Sequence, residues 1–283
     1  MAGCRHITGL TVNGVTYHAV EARNRPGTAL LLHGFTGATP TGRTMLPTWR
    51  QTIVSSPWTC SDHGRFDAPA DPARYGMVHA AADLVALMTA LDAEEFHLLG
   101  YSMGGRQWRS SPRWPIQRRV RSLVLESASP GLVGADERKA RAGTDDALAA
   151  SIVNDGMAAF VERWEALPLF ASQARLPDVI RTRLRTQRLA NNPTGLANSL
   201  RGMGTGVQPA LWSRLHEAAM PTLLLTGAED AKFCAIAQAM VNEMPRAQHI
   251  TVTNAGHTVH LEQPDDFTRV VEQFLQRQKA RHR

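Results

Sequence analysis

Short, nearly continuous apolar runs recur along the chain and restrict its fold more than any other feature. They lie at residues 28–34, 95–102, 121–128, 221–230 and 247–257. Runs of this kind are typical of strands that are covered on both faces. Residues 76–91 keep their apolar side chains at helical spacing, and a closing helix is expected at about 264–280. Strands that alternate with helices predict an α/β fold, a mostly parallel sheet with helices on both faces.

Two further segments complete the predicted architecture. Residues 7–22 read as a hairpin around Asn13-Gly14, the pair favoured in two-residue turns. Residues 134–205 contain no strand pattern and are rich in Arg, Ala and Leu, so we expect a helical cap inserted into the sheet domain. A chain of 283 residues is long enough for a large buried core, and we predict a single domain over residues 1–283.

The segment "GYSMG" at residues 100–104 fits the pattern G-x-S-x-G directly after an apolar strand. Ser102 would then stand on a sharp turn between strand and helix, with small neighbours where the backbone is crowded. A glycine-rich turn without catalytic function is the alternative when the motif is taken by itself, and it is less favoured than the catalytic interpretation.

Two more residues turn the motif into a candidate catalytic triad. Asp230 follows the apolar run that begins at residue 221, and His257 follows the last predicted strand. The order Ser, Asp, His, each at the carboxyl end of a strand, is that of the α/β hydrolases. Taken singly, the aspartate is also a good helix cap and the histidine an ordinary loop residue. The segment "HGF" at residues 33–35 predicts an oxyanion hole formed by the N–H groups of Phe35 and Met103.

Composition excludes several classes of function. The formal net charge is +6, but no run of Lys or Arg with interleaved aromatic residues is present, so we do not expect nucleic-acid binding. Cys4, Cys60 and Cys234 lie far apart, and the first residues lack the pattern of a signal peptide. We therefore expect a cytoplasmic protein without membrane insertion. No spacing of metal ligands and no phosphate-binding glycine loop is found, so no metal or cofactor is expected.

Four further stretches resemble one enzyme family closely. They are "LESASPGL" at 125–132, "FVERWEALPLF" at 160–170, "NNPTGLANSLRGMGTGVQPALW" at 191–212 and "GAEDAKF" at 227–233. Together with the triad they are similar to the 2-succinyl-6-hydroxy-2,4-cyclohexadiene-1-carboxylate synthases of menaquinone biosynthesis. The resemblance extends over nearly the whole chain, and these stretches are far more specific than G-x-S-x-G.

The resemblance implies a lyase built on a hydrolase scaffold. In that family the serine acts as a base that removes a proton from a tricarboxylate substrate, and elimination releases pyruvate. Guanidinium groups are suited to bind carboxylates in pairs of hydrogen bonds. The family motifs place substrate-binding residues at six positions of this sequence: Tyr101, Arg106, Arg141, Trp164, Arg188 and Lys232. Arg138 is a close competitor of Arg141 for its role.

Two stretches, residues 40–62 and 107–118, interrupt the resemblance. The first shows neither the amphipathic helix nor the clean strand that the family has there. In the second, Pro112 and Pro115 oppose the helix that should follow Ser102, and each proline costs about 3 kcal/mol inside a helix. Rereading both stretches with shifted codons restores the expected elements, so we hypothesise that both are frameshifted. We predict that the chain as written folds poorly or is inactive, with a weakened strand near 53–59 that contains Pro57.

Three interpretations of the function remain open at this point. The first is the lyase. The second is a serine hydrolase acting on esters or on C–C bonds, although cap arginines are not needed for apolar esters. The third is an inactive product of a frameshifted gene. A dehalogenase is disfavoured because such enzymes use an aspartate where this chain has Ser102.

Overall fold

The computed structural model describes residues 4–22, 28–37, 50–55, 68–109 and 116–280. The chain begins with the predicted hairpin, formed by β1 (Cys4–Val12) and β2 (Val15–Ala22). The backbone of Asn13 and Gly14 has φ of 48° and 76°, as a two-residue turn of this type requires. The hairpin lies at one edge of the sheet, where β2 pairs in antiparallel orientation with the strand formed by residues 50–55.

The sheet has eight strands in the order β1-β2-β4-β3-β5-β6-β7-β8. Its remaining strands are β3 (Thr28–Leu32), β4 (Arg50–Ser55), β5 (Phe96–Tyr101), β6 (Val120–Glu126), β7 (Thr222–Gly227) and β8 (Ala247–Val252). From β4 to β8 every neighbouring pair is parallel. The carboxyl ends of these strands therefore meet at one edge of the sheet, which is where side chains from distant segments come together. The predicted fold class is confirmed.

The central strands bury both of their faces. In β3, Leu30 and Leu32 belong to one hydrophobic cluster, whereas Ala29 and Leu31 belong to the other. Helices α1 (Met77–Ala90) and α5 (Ala231–Glu243) contribute to the first cluster. Helices α6 (Val259–Glu262) and α7 (Pro264–Ala280) cover the opposite face. None of the helices in the described part of the chain is long and apolar enough to cross a membrane.

The residues between β6 and β7, all of which the structure describes, are helical or irregular. They contain α2 (Ala135–Glu165), which breaks at Gly156 where φ is 82°, then α3 (Asp178–Leu189) and α4 (Pro193–Met203). A 3-10 segment, Pro168–Arg175, connects α2 to α3. Trp164 of α2 packs on Phe35, which follows the carboxyl end of β3, so the cap lies at that edge of the sheet.

The two stretches that interrupt the family pattern are described only in part. Residues 50–55 form β4, so this stretch contains a strand although its sequence shows no clean strand pattern. The strand pairs with β2 on one side and β3 on the other, and this tertiary pairing overrides its weak local pattern. Residues 53–55 of β4 overlap the strand that we expected near 53–59, whereas Pro57 lies outside the described residues.

The segment after Ser102 begins as a 3-10 helix, Gly104–Arg109, and a second 3-10 turn covers Ile116–Arg118. Trp108 of the first turn is 2% exposed and belongs to the core. Residues 40–49, 56–62 and 110–115, which include both Pro112 and Pro115, lie outside the described residues. The frameshift hypothesis therefore stays a prediction.

Candidate active site

Ser102 follows β5 on a sharp turn whose backbone geometry is unusual. Its φ is 50°, a conformation that non-glycine residues adopt rarely, and its N–H donates to the Glu126 carbonyl at the end of β6 (2.8 Å). The turn needs glycine on both sides. A Cβ atom at Gly100 would lie 2.5 Å from the Gly105 Cα, and one at Gly104 would lie 2.6 Å from the Leu32 carbonyl oxygen. The glycines of the motif therefore allow the backbone to approach closely enough to present Ser102.

The structure brings Ser102, His257 and Asp230 together. His257 Nε2 lies 3.1 Å from Ser102 Oγ, and His257 Nδ1 lies 2.6 Å from Asp230 Oδ2. The histidine is 2% exposed and the aspartate 6%, so their hydrogen bond is shielded from water. Asp230 also caps α5, because its Oδ1 accepts from the Phe233 N–H (3.2 Å). The helix cap and the partner of His257 are thus one side chain, which uses a different oxygen for each contact.

The loop that carries His257 is held by two carboxylates. Glu262 accepts from the N–H groups of Gly256 (2.7 Å) and Thr258 (3.1 Å), which flank the histidine. Glu126 is 3% exposed and accepts from His260 Nδ1 at 2.8 Å. Because the Glu126 backbone also binds Ser102, these contacts tie the histidine loop to the serine turn.

The predicted oxyanion-hole residues, Phe35 and Met103, both line the cavity in front of Ser102. The turn that carries Phe35 lies directly on β5, since a Cβ atom at Gly34 would be 2.6 Å from the Tyr101 ring. Across the described residues, neither the Phe35 nor the Met103 N–H donates to a backbone oxygen. Within that part of the chain, no backbone acceptor competes for these two donors with a charge that develops beside Ser102.

Arg106 lines the same cavity one turn after Ser102. Its Nη1 donates to the Met203 carbonyl (2.8 Å) and its Nη2 to the Thr205 hydroxyl (2.9 Å), whereas its buried Nε has no partner within the described residues. Burial, and next the nearby charge of Arg141, lower the pKa of Arg106 to about 10. An anion in the cavity would offset part of the cost of holding this cation away from water.

Arg141 and not Arg138 faces the cavity, which separates the two competing candidates. Arg141 lines the cavity and its Nε donates to Asp145 (2.8 Å). Arg138 instead donates to the carbonyl oxygens of Leu132 (2.9 Å) and Val133 (2.7 Å). Its guanidinium therefore serves the backbone at the start of α2.

Arg188 is the most buried of the candidate arginines, at 7% exposure. Its Nη1 donates to Glu165 (3.0 Å), its Nη2 donates to Gln173 (3.0 Å), and its guanidinium carbon lies 5.6 Å from the centre of the Phe170 ring. These contacts fix the guanidinium at the wall of the cavity, and three of its five N–H donors are not used by the two bonds.

The other three candidates also line the cavity. The Tyr101 hydroxyl bonds to the Thr258 hydroxyl (3.1 Å), and burial raises the pKa of Tyr101 well above its usual range. Trp164 packs edge-on against Phe35, with ring centres 5.2 Å apart. Lys232 lies at the start of α5, with its Nζ 6.0 Å from the Phe233 ring.

Sequence reasoning missed several residues that shape the site. Phe170 and Phe233 pack on the His257 ring, with ring centres 6.1 and 4.7 Å away. Gln173 and Thr258 bond to each other at 2.9 Å. Thr258 follows His257 directly, so its position in the loop was a usable signal. Gln173 lies in "ASQARLP", where nothing in the local pattern distinguishes it.

Comparison with known proteins identifies the family. Residues 30–264 match the model of the α/β hydrolase fold. A Bacillus subtilis protein assigned to 2-succinyl-6-hydroxy-2,4-cyclohexadiene-1-carboxylate synthase is 44% identical over 268 residues, 93% of this chain and 96% of that protein. The structure of MenH from S. aureus is similar with a TM-score of 0.82 and 31% identity, covering 93% of this chain and 98% of that one. A thermophilic esterase from Thermogutta terrifontis, at 22% identity and a TM-score of 0.75, shares the fold. The chain therefore belongs to the α/β hydrolase fold family and, within it, to the 2-succinyl-6-hydroxy-2,4-cyclohexadiene-1-carboxylate synthases.

Proposed function

We propose that the chain is a carbon–oxygen lyase of menaquinone biosynthesis. It converts 2-succinyl-5-enolpyruvyl-6-hydroxy-3-cyclohexene-1-carboxylate to 2-succinyl-6-hydroxy-2,4-cyclohexadiene-1-carboxylate and releases pyruvate, as the 44% identity to the Bacillus subtilis relative supports. The observation that carries the proposal is the combination of a Ser-His-Asp arrangement with Arg106, Arg141 and Arg188 in one cavity. Three guanidinium groups would form no ion pairs with an uncharged substrate, whereas each can pair with one carboxylate of a substrate that carries three.

The geometry supports Ser102 as the base. Asp230 holds His257 with Nε2 directed at the serine, so the histidine can take the serine proton while Ser102 Oγ removes a proton from a ring carbon of the substrate. The electron pair of the broken C–H bond forms a new ring C=C bond, the electron pair of the existing ring C=C bond shifts to the next ring bond, and the C–O bond to the enolpyruvyl group breaks. The leaving enolate takes up a proton and becomes pyruvate. No acyl-enzyme forms and no water is consumed.

The N–H groups of Phe35 and Met103 would stabilise negative charge as the proton leaves, because charge builds up on the substrate beside Ser102. Arg106, Arg141 and Arg188 would bind carboxylates, with Tyr101, Trp164 and Lys232 completing the walls. Two of the three arginines come from the cap. Binding of the substrate carboxylates to these cap arginines would thus hold the ring within reach of the base.

A serine hydrolase is the second candidate, because the same triad and the same pair of N–H donors would also support attack of Ser102 on an ester. The two reactions differ in the fate of the serine: the hydrolase forms a covalent acyl-enzyme and consumes water. The charge of the cavity wall favours the lyase.

The test measures pyruvate release by the purified chain, coupled to NADH oxidation by lactate dehydrogenase. Ser102→Ala should lower the rate by about 10²–10⁴-fold, since it removes the base. Ser151→Ala, a change on helix α2 outside the cavity lining, should leave the rate unchanged. Faster hydrolysis of a neutral p-nitrophenyl ester than release of pyruvate would favour the hydrolase. Absence of both activities, together with no cooperative melting, would select the inactive product.

A further inference from the structure

The 3-10 segment Pro168–Arg175 of the cap lies against the two loops that carry His257 and Asp230. Its Phe170 ring packs on His257, with ring centres 6.1 Å apart. A Cβ atom at Gly256, the residue before the histidine, would lie 2.2 Å from the Ser172 hydroxyl. Arg175 forms an ion pair at 2.7 Å with Glu229, the residue before Asp230. This cap segment therefore contacts the neighbours of both triad partners of Ser102.

Gln173 is the member of this segment that links two functional parts of the site. It is 8% exposed, and its carboxamide bonds at both ends. The oxygen accepts from Arg188 Nη2 (3.0 Å), and the nitrogen donates to the Thr258 hydroxyl (2.9 Å). A guanidinium only donates, so the amide oxygen must face Arg188 and the amide nitrogen must face Thr258. The orientation of Gln173 is thus fixed by its neighbours.

Both ends of this link are themselves held. Thr258 follows His257 directly, its N–H donates to Glu262, and its hydroxyl bonds to Tyr101 (3.1 Å). At the other end, Arg188 is held by Glu165 at 3.0 Å. A continuous series of hydrogen bonds therefore connects a guanidinium at the cavity wall with the residue beside the triad histidine.

We propose that Gln173 is a positioning residue for the reaction, which keeps the Arg188 guanidinium and the His257 loop in a fixed relation. This proposal rests on the lyase function proposed above. A carboxylate bound by Arg188 then arrives with the reacting carbon at a set distance from the Ser102–His257 pair. Errors of about 1 Å in such placement cost large factors in rate, so a rigid link between the binding group and the base contributes to catalysis.

The test compares Gln173→Met, Thr258→Val and the double variant by the kcat and KM of pyruvate release. Gln173→Met should lower kcat about tenfold and raise KM, because Arg188 also loses a partner. Thr258→Val should lower kcat about tenfold and change KM less than Gln173→Met does, since Thr258 bonds to Tyr101 but does not contact Arg188. The double variant should lose less in kcat than the product of the two single losses, because both changes break the Gln173–Thr258 hydrogen bond.

A matched control is Gln278→Met, which removes another buried amide, 8% exposed, whose nitrogen bonds to the Phe274 carbonyl within α7. This variant should have wild-type kinetics. Thermal melting of all variants checks that each one folds as the parent does, and Thr258→Val provides the test where Gln173→Met is unstable.

A second readout separates this proposal from the proposed lyase function. The rate at which a fluorophosphonate labels Ser102 reports the serine–histidine pair without any natural substrate. Labelling should slow about tenfold in Gln173→Met and in Thr258→Val, even where the parent chain releases no pyruvate and the lyase function fails. Wild-type labelling rates in both variants, or a kcat loss in the double variant equal to the product of the single losses, would overturn the positioning role.

Discussion

Replacing Arg106 with methionine should separate substrate binding from stability. Burial and the neighbouring Arg141 lower the pKa of Arg106 from its usual range to about 10. At about 1.4 kcal/mol for each tenfold change in an equilibrium, the charged form is disfavoured by at most about 3 kcal/mol. This is an upper figure, because the side chain keeps partial contact with the open cavity.

A carboxylate that pairs with Arg106 would recover much of that free energy. Arg106→Met should therefore lower kcat/KM for pyruvate release by about 100-fold, chiefly through KM. The variant loses hydrogen bonds to Met203 and Thr205, each worth about 1 kcal/mol, but it also loses the cost of the buried cation. We expect its Tm to stay close to that of the parent chain.

The assay is steady-state pyruvate release at several substrate concentrations, with melting followed by circular dichroism. Arg138→Met is the matched control, since that arginine binds backbone carbonyls and does not face the cavity. Its KM should stay that of the parent. An unchanged KM in Arg106→Met would show that the buried cation does not bind substrate. A collapse of its Tm would show that the guanidinium is a structural group that holds the backbone after α4.

Two further predictions concern the scaffold. Gly104→Ala should destabilise the chain by about 1–3 kcal/mol, because the added Cβ atom would lie 2.6 Å from the Leu32 carbonyl oxygen. Gly143→Ala, where the added Cβ atom would have no neighbour within 4 Å, should not destabilise the chain. Thermal melting of the two variants measures the difference in stability. Sequencing of the source DNA across the codons for residues 37–64 and 105–119 should reveal missing or extra bases. A DNA sequence that confirms the written reading frame, together with a cooperative melt and pyruvate release by this polypeptide, would contradict the frameshift hypothesis.

The strands and the hairpin were predictable because each depends on local chemistry. A strand buried on both faces must be apolar at successive positions, as in β7, where all residues of Thr222–Gly227 are buried. Asn13 and Gly14 adopt positive φ at little cost, so their order in the chain predicts the turn. The glycines beside Ser102 also make their turn predictable, because the turn leaves no room for a Cβ atom at these positions.

Contacts between distant segments were not predictable in this way. Gln173 and Thr258 are 85 positions apart, and Arg188 and Glu165 are 23 apart, so their hydrogen bonds depend on how the cap meets the sheet. The strand β4 is a similar case. Its sequence, "RQTIVS", begins with polar residues, and its place between β2 and β3 comes from backbone pairing that no local pattern encodes.

The triad cannot decide between elimination and hydrolysis, because Ser102 and His257 would act as a proton-transferring pair in both. The fold does not distinguish elimination from hydrolysis either, since an esterase with 22% identity shares it at a TM-score of 0.75. The difference lies in the cavity wall, where Arg106 follows the serine turn and Arg141 and Arg188 come from two cap helices. Removing the serine would abolish either reaction. Neutralising the arginines would weaken only a reaction whose substrate carries carboxylates, so we propose that the charge of the wall, and not the triad, specifies the chemistry.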